Sequence, residues 1–535
     1  MPFSWSHYQQ AIFFELENGN SNLLIEAVAG SGKTKTIVEC TNRIPTNLRS
    51  LCVAFNKSIA EELKGRVPSH VDAKTFHSLG LSAVKAKYPD CVVEFDKLEK
   101  IGKEVLKRFK LGAFESRTAF SIIKKAVEEL KNGLVDFRHT DKVKFFIRDY
   151  FLEIEDPFAD KGRGYVIQSI EELIEPTLEV FRLSADTTSV DFSDMLYLPI
   201  ILDISFPQYD VVFIDEVQDL NPPQHEIVRR CIKKDGRFIA CGDFFQAIYA
   251  FNNADADSFN KFKNQPNTKS LPLSVCYRCG SNIIDYIRET GISNTIEAFE
   301  ENKGGKIIHK ATLADVREGD VVLSRMNSPL LPLACEMMKR GFKVGIKGSD
   351  FGESLGKLLQ DIKVKDCIEV SFKLKTKLEK LQKKIVKENP VKDYTKDGRY
   401  VSLSERADCL NFLSTDCSTV AEMASKIKTL FSNCEDTSSI VLFSTVHKFK
   451  GLESDRVFIA NPFMLGDHVP WAETPEQKQE ERNIKYVAWT RAKKELGFLV
   501  KEKDDGKKAK KGEKLFFVES FEQVELEIDD MRKIN

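Results

Sequence analysis

Short, continuously apolar runs recur along the chain and dominate its pattern of hydrophobic and polar positions. One group of runs comprises Asn22–Ala27, Leu51–Phe55, Val211–Ile214 and Phe238–Cys241, and a later group comprises Val321–Ser324, Lys343–Ile346, Ile440–Ser444, Arg456–Ala460 and Leu496–Val500. Runs of this length are typical of parallel strands that are buried on both faces. The pattern therefore predicts two α/β cores, each with a parallel sheet.

Two stretches between these runs follow a helical pattern. Residues from about 85 to 190 are rich in Lys, Glu and Phe, and residues from about 355 to 435 contain a strongly charged helix. On that helix Leu374, Leu378, Leu381 and Ile385 follow a 4-3-4 spacing, which predicts one apolar stripe. Between 361 and 400 there are twelve Lys or Arg and seven Asp or Glu, an excess of five positive charges. The charged side of such a helix either faces solvent or contacts a duplex or a partner.

The length of 535 residues predicts several domains. We expect the first core to comprise 1–84 and 191–270, with a helical insertion at 85–190. We expect the second core to comprise 271–354 and 437–535, with a small charged insertion at 355–436.

Composition narrows the class of protein. Hydrophobic residues make up 42% and charged residues 30%, an ordinary balance for a soluble globular protein. No run approaches the roughly 20 apolar residues of a membrane span, and the first residues lack the pattern of a secretory signal. The twelve scattered cysteines suit a reducing compartment. We therefore expect the cytoplasm, a nucleoid or host-cell interior, or the nucleus in a eukaryote. The net charge of −1 means that any phosphate-binding surface must be local.

A glycine-rich motif lies between the first predicted strand and a predicted helix. It reads Ala27-Val28-Ala29-Gly30-Ser31-Gly32-Lys33-Thr34. Such a turn exposes backbone N–H groups and a helix N-terminus to a polyphosphate. Lys33 would reach the β- and γ-phosphates, and the Thr34 hydroxyl would hold Mg²⁺. The motif predicts a site for ATP and Mg²⁺.

Two carboxylates follow another predicted strand, in the segment VVFIDEVQD at 211–219. Parallel α/β sheets bind ligands at the carboxyl ends of their strands. Asp215 is suited to Mg²⁺ through its water shell, and Glu216 is suited to polarising an attacking water. Together with Lys33, these residues predict hydrolysis of the nucleotide.

With AGSGKT and DEVQD, the chain resembles superfamily-one helicases of the UvrD, Rep and PcrA group, and further motifs of that group follow in the same order. Gln9 and Gln10 resemble the glutamine that contacts adenine, and either one could align with it. The segments CVAFNK and TFHS resemble two motifs that contact the DNA strand, which implies strand contacts by Phe55, Asn56, Thr75 and His77. Asp191–Leu196 resembles a short acidic motif of the first core.

The segment GDFFQAIYAF at 242–251 resembles the third motif of the group. By this resemblance Gln246 senses the γ-phosphate, while Tyr249 and Phe251 present rings to bases. Tyr277 and Arg278 resemble the pair that stacks on adenine and contacts the γ-phosphate.

The segments STVHKFKGLE at 444–453 and YVAWTRAK at 486–493 resemble the fifth and sixth motifs. The resemblance implies that Glu453 contacts the nucleotide and that Thr445 and His447 contact the strand. It also implies that Arg491 is a second arginine finger, with a side chain that faces a solvated cleft.

The resemblance implies two RecA-like cores with ATP between them. It further implies an ATP-dependent DNA helicase that moves 3′→5′ on single-stranded DNA, in replication, recombination or repair. The expected partners are single-stranded DNA, single/double-strand junctions and replication or repair proteins, with no membrane.

Some features depart from the group. The second insertion has about half the expected length, and we find in it no glycine-containing motif for duplex contact. Three alternatives stay open: an ATPase stimulated by single strands that displaces proteins with little unwinding, a 5′→3′ motor of the RecD type, and a motor directed to RNA. The charged helix of the insertion is then either solvated or a contact for a duplex or a partner.

Overall fold

A computed structural model of the chain describes residues 4–54, 57–153, 166–248, 257–388, 393–431 and 439–500. The fold divides into two compact units. The first unit contains most of the chain up to Leu273. The second contains Val28–Ser31, Phe245–Ile248 and the chain from Ser274 onward.

The first unit is an α/β core with a helical insertion. Its strands are β1 (Asn22–Ala27), β2 (Ser50–Ala54), β3 (Val71–Thr75), β4 (Val92–Val93), β5 (Ser189–Val190), β6 (Tyr209–Ile214), β7 (Ile232–Gly242) and β8 (Thr268–Leu273). Its helices are α1 (His7–Asn18), α2 (Lys33–Asn42), α3 (Lys57–Lys64), α4 (Phe76–Lys87), α5 (Lys97–Lys107), α6 (Ala113–Asn132), α7 (Thr140–Glu153), α8 (Ile174–Ser184), α9 (Phe192–Ile201), α10 (Pro222–Cys231) and α11 (Ser258–Lys263).

The main sheet of this unit has the strand order β3-β2-β6-β7-β1-β8, and each neighbouring pair is parallel. Alternate side chains of a strand point to opposite faces of its sheet. In β1, Leu24 belongs to the core cluster on one face, and Leu23 and Ile25 belong to the cluster on the other. Because both faces are covered, the three central residues Leu23–Ile25 are all apolar, as the sequence pattern predicts.

The second unit is a further α/β core. Its strands are β9 (Val275–Cys276), β10 (Glu297–Ala298), β11 (Lys306–Ala311), β12 (Val321–Ser324), β13 (Val344–Lys347), β14 (Val441–Thr445), β15 (Ser454–Ile459) and β16 (Ala492–Leu499). Its helices are α12 (Ser281–Glu289), α13 (Leu330–Lys339), α14 (Ser349–Asp361), α15 (Ile368–Glu388), α16 (Gly398–Asp416), α17 (Val420–Leu430), α18 (Val446–Phe449) and α19 (Pro475–Trp489). The main sheet has the parallel order β11-β16-β15-β12-β14-β13. The predicted architecture of two parallel α/β cores with helical insertions is confirmed.

A buried ionic network fastens the insertion of the first unit to its core. The Lys97 Nζ donates to Asp194 Oδ2 at 2.8 Å and to the backbone carbonyls of Ser184 and Ser189 at 2.7 Å. The Lys131 Nζ lies 2.7 Å from Asp194 Oδ1. Helices α5 and α6 are thereby joined to α9. Removing one partner of such a buried pair costs about 3–5 kcal/mol, because a charge is left without compensation.

Helix α15 of the second unit packs through one apolar stripe. Val370, Leu374, Leu381 and Ile385 are buried in the core cluster, and Leu378 packs against it while partly buried. The predicted stripe is confirmed and extends to Val370. Among the described residues, no helix combines the length and apolar character needed to cross a membrane.

Candidate active site

The turn between β1 and α2 holds the glycine-rich motif in a shape that suits a polyphosphate. Gly30 and Gly32 have φ angles of 68° and 82°, in the left-handed region that favours glycine. Helix α2 begins directly after Gly32, and no side chain caps its first turn. The N–H groups and the positive end of the helix dipole can therefore bind an anion. The Ser31 hydroxyl is buried and has no hydrogen-bond partner among the described residues, which also fits a phosphate oxygen.

Space as well as φ requires glycine at position 30. A Cβ there would lie 2.6 Å from the Cβ of Arg278 and 3.1 Å from the Sγ of Cys276, all within the second unit. The Gly30 carbonyl accepts a hydrogen bond from Tyr277 N at 2.9 Å. The second unit therefore holds the predicted Tyr277–Arg278 pair against the tip of the turn.

The charged residues predicted for hydrolysis lie together in the first unit. The Lys33 Nζ is 3.0 Å from Glu216 Oε2. The Thr34 hydroxyl donates to Asp215 Oδ2 at 2.9 Å. These contacts form because the carboxyl end of β6 lies beside the start of α2. The donor set of one hydroxyl and one carboxylate fits Mg²⁺, which prefers oxygen ligands and keeps several waters.

Burial and mutual charge shift the protonation of these groups. Burial raises the pKa of Asp215, and the neighbouring Glu216 carboxylate raises it further, to about 6, against the opposing effects of Lys33 and Thr34. Burial alone would lower the pKa of Lys33, but Glu216, Asp243 and Asp215 hold it above its ordinary value. Lys33 is therefore a cation held by carboxylates, and a pKa shift in a buried cluster is frequent at functional sites.

The backbone holds Glu216 in an uncommon conformation. Its φ of 52° lies in the left-handed region, which is rare for a residue with a side chain. The Gln218 amide Nε2 donates to Glu216 Oε2 at 2.6 Å, and Gln218 Oε1 accepts from Asp243 N at 3.1 Å. Gln218 thus connects Glu216 to the end of β7. Gln218 lies inside the DEVQD segment, but the sequence pattern predicts no role for it.

The structure distinguishes the two glutamines near the start of the chain. Gln9 is buried, and its Nε2 donates to the Thr36 hydroxyl of α2 at 2.9 Å. Gln10 is exposed, and its Nε2 donates to the Trp5 carbonyl. Gln9 is therefore the one that contacts the helix after the glycine-rich turn. A contact with adenine stays a prediction for either residue.

The predicted nucleotide contacts of the second unit also lie near one another. The Arg278 Nε donates to Glu453 Oε2 at 2.5 Å, and its Nη1 donates to the Thr490 carbonyl at 3.3 Å. The Lys493 Nζ lies 2.7 Å from Glu453 Oε1. Gln246 is buried, and its backbone carbonyl accepts from Lys450 Nζ at 2.7 Å.

Arg491 differs from the expectation. Its exposed fraction is 1%, so the prediction of a side chain facing a solvated cleft is wrong for this structure. The guanidinium donates to the carbonyls of Val487 at 3.0 Å and Leu452 at 3.2 Å. Arg491 therefore ties the end of α19 to the segment before Glu453, and its role as an arginine finger stays a prediction.

Comparisons with known proteins match both halves of the chain. A family model described as the UvrD/REP helicase N-terminal domain matches residues 8–267, and a model described as the UvrD-like helicase C-terminal domain matches residues 249–503. Together the two models cover nearly all of the chain.

The chain belongs to the UvrD/Rep helicase family.

Several curated relatives are similar over much of its length. F-box DNA helicase protein 1 of Schizosaccharomyces pombe is 25% identical over 90% of this chain and 55% of the relative. F-box DNA helicase 1 of Gallus gallus is 26% identical over 91% of this chain and 48% of the relative. ATP-dependent DNA helicase PcrA of Bacillus subtilis is 24% identical over 57% of this chain and 43% of the relative. The chain thus spans about half the length of these relatives.

In this member of the UvrD/Rep family, the residues predicted to contact the DNA strand fall into three groups. Thr75 caps α4 by accepting from Ser78 N at 3.1 Å, and His77 lies in the first turn of that helix. Thr445 is buried at the end of β14, and His447 is half-buried in α18. Phe55, Asn56, Tyr249 and Phe251 lie outside the described residues. All of these strand contacts stay predictions.

Two exposed aromatic rings accompany His77. The Phe192 ring centroid is 4.6 Å from that of His77 and 5.7 Å from that of Phe95. Phe95 and Phe192 are 72% and 55% exposed, and the three rings line a cleft of about 510 Å³. Exposed rings of this kind can stack on bases. In the sequence, Phe192 stands out only as part of a motif. Phe95 belongs to no motif and reaches the cleft only through the fold, so the sequence did not predict it.

Proposed function

We propose that this chain is an ATP-driven DNA translocase and helicase that moves 3′→5′ on single-stranded DNA. The observation that carries the proposal is the cluster at the start of α2, where Lys33 pairs with Glu216 and Thr34 bonds to Asp215. Phosphate binding, metal binding and water activation need these groups at one place. Names of relatives that specify DNA helicases support DNA as the substrate.

In the proposed reaction, the N–H groups of the glycine-rich turn and Lys33 bind the β- and γ-phosphates. Thr34 and Asp215 would hold Mg²⁺, which supplies charge neutralisation when bound. Glu216 orients a water toward the γ-phosphorus and polarises it. A new P–O bond forms to that water, the bond to the β-γ bridging oxygen breaks, and ADP carries away the electron pair.

The second unit contributes the remaining predicted contacts. Arg278 and Arg491 would stabilise charge in the transition state, as arginine fingers do in other phosphoryl-transfer enzymes. Coupling to movement would use stacking of bases on exposed rings, which contributes about 1–3 kcal/mol per base and tolerates any sequence. His77 and Phe192 offer such rings in the first unit. Single/double-strand junctions inside the cell would be the natural substrate.

One pair of assays tests the function and its direction. ATP turnover is measured with single-stranded DNA, with RNA and without nucleic acid, and unwinding is measured on duplexes with a 3′ or a 5′ tail. We expect DNA-stimulated turnover and unwinding of the 3′-tailed duplex alone, with Glu216→Gln as the inactive control. Unwinding of only the 5′-tailed duplex would contradict the proposed 3′→5′ direction. Equal stimulation of ATP turnover by RNA would contradict DNA as the preferred substrate.

A second candidate function is displacement of proteins from DNA with little unwinding. The small insertion of α14–α17 favours it, because it offers less surface for separating strands than the larger insertion expected in the family. A streptavidin block on biotinylated single-stranded DNA separates the candidates. Rapid displacement together with no unwinding of either tailed duplex would favour the second.

A further inference from the structure

Two cysteines flank Tyr277 and Arg278, the predicted contacts for adenine and the γ-phosphate. Cys276 ends strand β9, and Cys279 lies directly before the cap of helix α12, so the segment reads Cys-Tyr-Arg-Cys. We call Cys276 and Cys279 the cysteine pair. A C-x-x-C pair serves either in a metal site or in thiol–disulfide chemistry. In the part of the chain that the structure describes, no group of three or more His, Cys, Asp or Glu side chains could hold a metal ion, so this pair is a candidate for disulfide formation.

The two sulfurs of the cysteine pair interact with each other. The Cys279 thiol donates a hydrogen bond to the Cys276 sulfur, which also accepts from the backbone N–H groups of Arg278 and Cys279. These hydrogen bonds lower the pKa of Cys276, although burial opposes them. The hydrogen bond to Cys276, together with burial, raises the pKa of Cys279. Cys276 is thus the sulfur that loses its proton first, and the thiolate is the form that attacks an oxidant.

The described cysteines outside the pair differ from Cys276. All of them have a pKa above its ordinary value, because burial disfavours their thiolates. Cys367 and Cys417 are a useful comparison, because they interact electrostatically and lie in one core cluster of the second unit. They are 9% and 7% exposed, whereas both members of the cysteine pair are 0% exposed. If exposure alone governed oxidation, Cys367 and Cys417 would react before the pair.

A loop that itself reaches the surface covers the cysteine pair. Between the two buried cysteines, Tyr277 is exposed and Arg278 is half-buried. Such a cover keeps out a bulky thiol, so each sulfur can react with its neighbour and not with a thiol of another protein. Hydrogen peroxide is little larger than water and is the class of oxidant that suits a shielded pair.

We propose that Cys276 and Cys279 are a redox-modification site, at which a peroxide converts the two thiols into a disulfide that displaces Arg278 and slows ATP turnover. The Cys276 thiolate attacks one peroxide oxygen, an S–O bond forms as the O–O bond breaks, and hydroxide leaves and takes up the proton that Cys276 released. Cys279 then attacks the sulfenic sulfur, an S–S bond forms as the S–O bond breaks, and hydroxide leaves with the Cys279 proton. The pair thereby loses two electrons, and one peroxide is reduced to two waters. A dithiol reductant reverses the change, as suits a reducing compartment.

Both ends of the loop are fixed, so a disulfide acts on the residues between them. Cys276 pairs with Ala298 where β9 lies beside β10, and the Cys279 carbonyl accepts from Asn302 Nδ2 at 2.9 Å. A covalent bond holds two sulfurs closer together than a hydrogen bond does. The loop therefore tightens, and Arg278 is a residue that must move.

Oxidation also changes the surroundings of Arg278. The Arg278 Nη1 and the Cys279 Sγ both contact the Thr490 carbonyl, at 3.3 Å and 3.6 Å. The disulfide removes the Cys279 proton and leaves Cys276 without the negative charge that attracts the guanidinium. The hydrogen bond of 2.5 Å from Arg278 Nε to Glu453 Oε2 is then held by a tightened loop. Only this effect on turnover rests on the proposed function, whereas disulfide formation does not depend on it.

Peptide mapping of the full chain tests the modification directly. The protein is treated with hydrogen peroxide for increasing times, its remaining thiols are blocked with N-ethylmaleimide in denaturant, and it is digested with trypsin. Trypsin cleaves after Arg278, so a disulfide of the cysteine pair joins peptides 270–278 and 279–288, and dithiothreitol separates them. We expect the joined peptides to accumulate before any oxidation of Cys367 or Cys417.

ATP turnover on single-stranded DNA tests the consequence. We expect peroxide to lower the turnover of the wild type by at least about tenfold, since a misplacement of about 1 Å in an active site can cost about 10²-fold, and dithiothreitol to restore it. Cys276→Ser combined with Cys279→Ser cannot form the disulfide and should keep its turnover after peroxide. Cys367→Ser combined with Cys417→Ser is the matched control and should respond as the wild type does.

Thermal melts show whether each serine variant is folded. If either one is not, the mapping and the reversal by dithiothreitol in the wild type still decide. Absence of the joined peptides, or earlier oxidation of Cys367 and Cys417, would overturn the proposal. So would joined peptides without a loss of turnover, or an equal loss in the variant that lacks the cysteine pair. Joined peptides in a protein that does not hydrolyse ATP would support the modification site and remove the proposed function.

Discussion

Two residues at the start of α2 contact carboxylates, and nucleotide binding must rearrange these contacts. Lys33 is held by Glu216, and the Thr34 hydroxyl is held by Asp215. To contact phosphate oxygens, Lys33 must exchange at least part of its ion pair with Glu216. That exchange leaves the Glu216 carboxylate available to a water molecule. The ion pair therefore links phosphate binding to activation of the water.

Substitution of these two residues separates binding from turnover. Glu216→Gln removes the general base but keeps a side chain of the same size, so ATP should bind as tightly as in the wild type or more tightly. Turnover should fall by about 10²–10⁴-fold, the usual contribution of a general base. Lys33→Ala should abolish binding as well. Binding of a fluorescent ATP analogue and steady-state phosphate release measure the two effects, and wild-type turnover in Glu216→Gln would remove Glu216 from this role.

His447 predicts a dependence of stability on pH. Burial lowers its pKa to about 3, and Arg325 and Lys450 act in the same direction. Unfolded histidine titrates near about 6.5, so below that pH the unfolded chain binds a proton that the folded chain does not. Stability is therefore lost as pH falls through this window, by up to about 2 kcal/mol at about pH 5.

Hydrogen exchange of peptides from β14 and α18 at about pH 7.5 and 5 measures this loss, after correction for the intrinsic exchange rate. His447→Gln lacks the titration and is the control. We expect the wild type to lose more protection than the variant at the lower pH. Equal loss in both proteins would show that His447 binds its proton in the folded state.

Helices α4 and α9 of the first unit pack closely against each other. Gly80 of α4 lies against the backbone of Met195 in α9, where an added Cβ would come within 1.7 Å of the Met195 carbonyl oxygen. The same two helices begin with the segments that carry His77 and Phe192. The distance between the helices thus sets how those two rings meet.

Gly80→Ala should push α4 and α9 apart. Overpacking of this kind costs about 1–3 kcal/mol, and a clash with backbone places it at the upper end. DNA stimulation of ATP turnover should fall more than basal turnover, because the cluster around Lys33 is not touched. Gly356→Ala in α14 is the matched control, since a Cβ there meets nothing within 4 Å and should stabilise the helix by about 0.5–1 kcal/mol.

Thermal melts and turnover assays with and without single-stranded DNA compare the two alanine variants. A melting temperature and DNA stimulation unchanged by Gly80→Ala would mean that α4 and α9 can separate without consequence. The helices would then not set the positions of His77 and Phe192.

At the scale of the whole molecule, the residues predicted to act in catalysis are distributed over two units. The phosphate-binding and carboxylate residues belong mainly to the first, whereas Arg278, Glu453 and Arg491 belong to the second. The burial of Arg491 changes what its removal should do.

Arg491→Ala should lower both turnover and stability. Loss of an arginine finger reduces turnover by about 10³–10⁵-fold in other systems. The Leu452 carbonyl loses its Arg491 donor, which should add about 1–3 kcal/mol of destabilisation, whereas the Val487 carbonyl keeps the hydrogen bond from the Thr490 hydroxyl. Arg456→Ala is the control, because Arg456 is a largely covered arginine of the second unit that pairs with Asp320 and Glu495 outside any motif.

Thermal melts and turnover per folded molecule distinguish the two arginines. We expect Arg456→Ala to be destabilised but to turn over at the wild-type rate per folded molecule. Arg491→Ala should be destabilised and inactive. If folded Arg491→Ala turns over as well as Arg456→Ala does, Arg491 is structural.

The central strands and the chemistry at their ends could be predicted from the sequence. Strands β1, β6 and β12 are covered on both faces, so each contains an uninterrupted run of at least three apolar residues that is visible in the sequence. The glycine-rich turn and the Asp215–Glu216 pair follow such strands directly. Their proximity follows from parallel sheet geometry, and the structure brings Lys33, Thr34, Asp215 and Glu216 together as predicted.

Features that depend on a residue's three-dimensional surroundings could not be predicted from the sequence and became visible only in the fold. Strands β3, β8 and β11 lie at sheet edges, where a partly solvated strand carries polar residues and shows no continuous apolar run. The burial of Arg491 depends on the carbonyls of Val487 and Leu452, which the chain brings from different segments. The local sequence pattern is therefore enough to predict a buried central strand and the residues that follow it. Exposure and charge pairing, by contrast, are decided by residues distant in the chain.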